Sequence, residues 1–137
     1  MKTIGIIIAL IMIVGLGYIV ISKPGAAESE QPFSEGKFES AFVTIQREIK
    51  RGGMLLDVRT VEEFNAGHID GATSFPVENI TAGSMPYVAK DTKIYVYCRS
   101  GSRSEAAKAA LEQAGYNNVV DLGAMTSVQA AGGKVVR

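Results

Sequence analysis

Ile94-Tyr95-Val96-Tyr97-Cys98-Arg99-Ser100-Gly101-Ser102-Arg103-Ser104 sets the only cysteine of the chain between an apolar run and a polar, basic one. The branched and aromatic residues from Ile94 to Tyr97 predict a buried strand over Lys93 to Tyr97. The segment that follows has helical spacing, with Ala107, Ala110, Leu111 and Ala114 on one face and Gly115 as its stop. Ser102, with Glu105 three residues on, predicts a capping box at the start of that helix. Cys98 thus falls at a strand-to-helix turn, in front of backbone N–H groups that have no intrahelical partner.

Such a place suits an anion or a thiolate. Arg99 and Arg103 add positive charge, which predicts a thiol pKa below the free value of about 8.5 and a nucleophilic Cys98. The competing reading is a cysteine that only fills the core. The polar, basic residues after Cys98 describe a core poorly and favour the reactive reading. One Cys cannot form a disulfide within the chain, and one Cys with one His makes a poor metal-ligand set. Neither a metal nor a cofactor is expected.

Working outward, the same pattern recurs. Phe38 to Lys50 carries Phe42, Ile45, Gln46 and Ile49 at helical spacing, ended by Gly52-Gly53. Met54-Leu55-Leu56 is a short strand running into Asp57-Val58-Arg59, and Thr60 with Glu63 predicts a capping box before a brief helix through Phe64. Gly67 to Ala72 reads as a loop, Thr73-Ser74-Phe75 as a strand closed by Pro76, and Val77 to Tyr87 as a short helix and loop. Asn118-Val119-Val120 predicts a further strand, and Lys134-Val135-Val136 a terminal strand or a fray. Short apolar strands alternating with helices predict an α/β fold with a mostly parallel sheet covered on both faces. In such sheets the site lies at the carboxyl ends of the strands, where Asp57, Arg59 and Cys98 all fall. His68, the only histidine, reads by itself as a turn or cap residue rather than a base.

The chain has three expected parts: residues 1–23 as an anchor or signal, 24–36 as a flexible tether, and 37–137 as the domain. Ile4 to Ile21 are eighteen positions without a charge, approaching the roughly 30 Å of a bilayer core. Lys23 and Pro24 end the run, which favours an uncleaved span, residues 4–21. A cleavable signal peptide ending near Gly25-Ala26-Ala27 is the alternative, with an apolar region usually of about 7 to 15 residues. Either way the domain is expected on the extracytoplasmic side, single-pass if anchored and periplasmic or secreted if cleaved. Beyond Pro24 the chain has twelve basic against fourteen acidic residues, which suggests no nucleic-acid partner.

Taken together, Asp57-Val58-Arg59, Glu63-Phe64, Gly67-His68-Ile69, Gly71-Ala72 and Pro76, followed by Tyr97 to Ser104, closely resemble a single-domain rhodanese over about Phe38 to Val136. The resemblance implies a five-stranded parallel sheet flanked by helices, and thiosulfate sulfurtransferase chemistry. Cys98 would attack the outer sulfur of thiosulfate, release sulfite and hold a persulfide until a thiol or cyanide takes it. Arg99, Ser100, Gly101, Ser102 and Arg103 would bind the donor, their amides stabilising its charge. Asp57, Arg59 and Ser104 would support the site, and His68 would order its loop. Where the family commonly has Gly-Gly and a tryptophan in its last helix, this chain has Gly123-Ala124 and Val128. Related phosphatases and arsenate reductases place an arginine six positions after the cysteine. Here that position is Ser104, so the phosphatase reading is the weaker one, and a sulfur-carrier or protein-binding module is the non-enzymatic alternative.

Overall fold

The computed structural model describes residues 40–137. The expected span over 4–21 and the tether over 24–36 lie outside them. Among the described residues no helix is long and apolar enough to cross a membrane. In chain order the elements are α1 (Ala41–Lys50), β1 (Met54–Asp57), α2 (Val61–Ala66), β2 (His68–Ile69), β3 (Thr73–Ser74), α3 (Val77–Thr81), β4 (Ile94–Cys98), α4 (Ser102–Gln113), β5 (Val119–Ala124), α5 (Met125–Ala130) and β6 (Val135–Val136).

Four strands form one parallel sheet in the order β3-β1-β4-β5. Strand alternation sends successive side chains to opposite faces. On one face Leu56, Val58, Ile94, Val96 and Cys98 pack with Val77 and Ile80 of α3 and Ala107 and Leu111 of α4. On the other, Leu55, Tyr95 and Tyr97 pack with Phe42 of α1 and Val128 of α5. Each fully buried aliphatic side chain of this kind contributes about 1.5–3 kcal/mol. The apolar face predicted for α4 is the one it buries, and Val128, in the tryptophan's place, is a core residue.

The five-stranded sheet expected from the resemblance is not what forms. The parallel sheet has four strands, and His68–Ile69 instead pairs antiparallel with Val135–Val136 in a separate ribbon. The reason lies in where the backbone hydrogen bonds go. Ile69 N–H donates to the Tyr97 hydroxyl at 3.0 Å and Asp70 N–H to the Lys134 carbonyl at 2.8 Å, so the backbone donors of this segment go to a side chain of β4 and to the C-terminal segment rather than to a sheet edge. It also makes a strand of part of the expected loop over Gly67 to Ala72.

β5 runs four residues beyond Val120, to Ala124, because a break in register between Val96 and Cys98 lets it continue beside the end of β4. Gly123, at φ 73°, sits in that stretch and donates its N–H to Asp121 Oδ1 at 2.7 Å.

Candidate active site

The capping box predicted for α2 is present: Glu63 N–H donates to Thr60 Oγ1 at 3.2 Å and Thr60 N–H to Glu63 Oε2 at 3.1 Å. The one predicted for α4 is absent. Gly101 is the N-cap of α4 and Ser102 its exposed first residue, with no side-chain cap bond. A left-handed residue has to redirect the chain from loop to helix, and Gly101, at φ 105°, does so. The bend turns its N–H back onto the cysteine.

Cys98 ends β4 with its side chain wholly buried. Gly101 N–H donates to Sγ at 3.0 Å. While protonated, the thiol points at Ser104 Oγ, 3.7 Å away, and the Ser104 hydroxyl donates to the Gly101 carbonyl at 2.8 Å; once the thiol is ionised that hydroxyl can turn to donate to Sγ instead. Burial pushes the Cys98 thiol up, but the Ser104 hydroxyl and the backbone N–H groups of Ser104, Gly101 and Ser100 together bring it below its ordinary value. The direction matches the expectation, and its leading causes are different. Hydrogen-bond donors of the loop lead in stabilising the thiolate, ahead of the charge of Arg103.

The arginines are deployed otherwise. Arg103 Nη1 donates to Glu63 Oε2 at 2.7 Å and Nη2 to Glu63 Oε1 at 3.0 Å, a bidentate pair between the first turn of α4 and α2. The hydrogen bond to Arg103 holds the Glu63 carboxyl at about 2, against the opposing effect of burial. Arg99 and Ser100 are exposed, and Arg99 makes no hydrogen bond or ion pair among the described residues. Of the expected donor-binding residues, then, Ser100 and Gly101 offer amides to Sγ, Arg99 stands at the surface, Ser102 faces solvent and Arg103 is held by Glu63.

Asp57 and Arg59 form a buried pair on the opposite face of the sheet from Cys98. Asp57 Oδ1 accepts from Arg59 N–H at 3.0 Å and Nε–H at 2.9 Å, and Oδ2 accepts from Arg59 Nη2 at 2.5 Å and from the Tyr97 hydroxyl at 2.7 Å. Arg59 Nη2 also donates to the Gly67 carbonyl at 2.7 Å. This network joins the ends of β1 and β4 to the loop after α2. Burial, and then the hydrogen bond to Asp57, push the Tyr97 hydroxyl far above its ordinary range, so it stays protonated and donates. His68 stacks on Phe64 at 3.7 Å between ring centroids, and its Nδ1–H donates to the Phe64 carbonyl at 3.0 Å, which orders the turn out of α2.

Glu63 is the site residue that the sequence reading missed. Its spacing from Thr60 marked it as a cap partner, and nothing in the chain pointed to Arg103 forty positions on. Among the described residues no group of three or more His, Cys, Asp or Glu side chains is placed to hold a metal ion.

Against this geometry, residues 43–131 match the family model described as the rhodanese-like domain. The chain is similar to a sulfurtransferase of Allochromatium vinosum, 41% identical over 69 residues that cover 50% of this chain and 64% of that one. The chain thus spans less than two thirds of that relative. It is similar also to the thiosulfate sulfurtransferase PspE of Escherichia coli, 30% identical over 74 residues that cover 53% of this chain and 71% of that one. Among solved structures, a rhodanese with anions from E. coli superposes with a TM-score of 0.53 at 27% identity, over 62% of this chain and 98% of that one.

Proposed function

The chain belongs to the rhodanese-like domain family, and from that premise we propose that it is a sulfurtransferase that takes the outer sulfur of thiosulfate onto Cys98. The Cys98 thiolate attacks the terminal sulfur. A new S–S bond forms, the S–S bond of thiosulfate breaks, and sulfite leaves with the electron pair. The anionic persulfide then loses its outer sulfur to a nucleophile. Cyanide gives thiocyanate, a thiol gives a new persulfide, and Cys98 returns as the thiolate. No base is needed when the nucleophile is already ionised, which accords with a single histidine engaged with Phe64.

The observation that carries this reading is the 3.0 Å hydrogen bond from Gly101 N–H to Cys98 Sγ. It supplies a fixed donor at the atom that carries the negative charge in the thiolate, both before it attacks the donor and when the acceptor releases it again. The names of the relatives support thiosulfate as the donor class. The test is the intact mass of the purified full chain before and after thiosulfate, and again after cyanide. The expected result is a gain of one sulfur that cyanide removes and that Cys98→Ser lacks. A free thiol with no gain in a folded domain would instead favour a protein-binding module.

The uncharged run Ile4–Ile21 supports a single membrane span that tethers the domain outside the cytoplasm. Retention of the chain in the membrane pellet after alkaline extraction tests it; release into the supernatant would contradict an uncleaved anchor.

A further inference from the structure

Arg103 has a place in the molecule that a donor-binding arginine would not need. Both of its terminal nitrogens are used by one carboxylate, at 2.7 and 3.0 Å. The same carboxylate is fixed from the other side by Thr60 N–H at 3.1 Å. Pair and cap together make a rigid link from the N-terminus of α2 to the first turn of α4. That turn begins at Gly101, whose N–H holds Sγ, and contains Ser104, whose hydroxyl faces it. A guanidinium with both prongs on a carboxylate has a defined orientation as well as a charge.

We propose that Glu63 and Arg103 act as one clamp that shapes the Cys98 loop, so that Arg103 is a positioning residue and the donor's charge is met elsewhere. The inference rests on Cys98 being the reactive thiol, and it assigns Glu63 a part in that site. The charged groups around the clamp are few. Arg103 is faced by Glu63 of α2, by Cys98 and, at longer range, by Glu78 of α3. Glu63 is faced by Arg103 and, more distantly, by Arg59. Around Sγ the Ser104 hydroxyl and the amides of Ser100, Gly101 and Ser104 supply the donors.

Charge and positioning predict opposite things for Glu63. If Arg103 acted on the thiol only through its charge, removing the negative Glu63 would make the thiolate more stable and removing Arg103 would make it less so. If the pair holds the loop, either removal misaligns the donors and both make the thiolate less stable. The experiment is a pH titration of the thiolate's ultraviolet absorbance in the full chain, in Glu63→Gln, Arg103→Gln, Arg103→Lys and the Glu63→Gln/Arg103→Gln double variant. Each is referenced to the same chain carrying Cys98→Ser, which removes the tyrosine background.

The expected result is that all three single variants raise the inflection by about one pH unit, which is roughly tenfold less thiolate below it. The double variant should move no further than the larger single. Arg103→Lys keeps the charge and loses the fork, so it separates the two accounts if Arg103→Gln does not fold. Glu63→Asp, one methylene shorter, does the same for the other partner and should also raise the inflection. A fall in Glu63→Gln alongside a rise in Arg103→Gln, wild-type behaviour in Arg103→Lys, or no movement at all would overturn the clamp. No sulfur donor enters the titration, so failure of thiosulfate to load Cys98 and failure of the clamp are read separately.

Discussion

The Tyr97 hydroxyl donates to Asp57 Oδ2 at 2.7 Å, while the next residue, Cys98, turns its sulfur to the opposite face of the sheet. One strand end thus serves two purposes: one side chain braces β1 and the loop after α2, and its neighbour is the proposed nucleophile.

Tyr97→Phe should separate them. The hydroxyl also accepts Ile69 N–H at 3.0 Å, so its loss leaves a buried donor without a partner and the Asp57 carboxylate with one bond fewer. The expected cost is about 1–3 kcal/mol, read from denaturant unfolding. Sulfur loading of Cys98 by thiosulfate should persist in the folded fraction. Loss of loading at unchanged stability would place Tyr97 in the reaction instead.

The Cys98 thiol carries a pH signature. Its pKa in the fold lies below the unfolded value, so the stabilisation it brings is complete above the unfolded pKa and is lost as pH falls through the folded one. Stability measured across that window should therefore rise with pH in the wild-type chain. The rise should vanish in Cys98→Ser.

Much of this site was legible along the chain and some of it could not be. The strand-to-helix turn at Cys98 shows in the change from Ile94–Tyr97 to the polar run, because burial and polarity change together there. The Thr60–Glu63 box is local, four residues long, and forms as spaced. The Ser102–Glu105 box has equal local merit and fails, because Gly101 reaches a left-handed conformation and caps the helix one residue earlier. The Asp57–Arg59 pair is local too, yet its purpose depends on Tyr97, forty residues away in sequence and adjacent only across the β1–β4 ladder. The Glu63–Arg103 clamp is of the same kind. Likewise the pairing of β2 with β6, over segments expected as a loop and as a terminal strand or fray, depends on a long-range contact that no local pattern records.

Glu63 sets the acid limb of stability. Its carboxyl, ordinarily near 4.5, is held at about 2 in the fold. The stabilisation is complete above 4.5 and is lost as pH falls toward 2. Glu63→Gln should flatten the decline between those values, as followed by unfolding midpoint against pH. An unchanged profile would mean that the ion pair does not persist in solution.

Gly101→Ala tests the turn itself. A Cβ at this position meets nothing closer than Gly123 Cα at 3.9 Å, so space is available, and the difficulty is φ at 105°. Holding alanine there costs about 1–3 kcal/mol, and relaxation would swing the 101 N–H away from Sγ. The variant should be less stable and should show a higher thiol pKa. Full stability with a normal thiolate titration would show that the left-handed turn is not required.

Among the described residues, Arg99 is the guanidinium at this site that no carboxylate neutralises, since Arg59 is held by Asp57 and Arg103 by Glu63. Its charge is therefore the one available to attract a dianionic donor toward Cys98, if thiosulfate is the donor as proposed. Arg99→Ala should raise the thiosulfate concentration needed for half-maximal loading several-fold, with little change in the rate at saturation. Its charge is exposed, and in 1 M salt, where the screening length is about 3 Å, the wild-type chain and the variant should converge. An effect of Arg99→Ala that survives high salt undiminished would mean that the side chain contacts the donor directly instead of acting through its field.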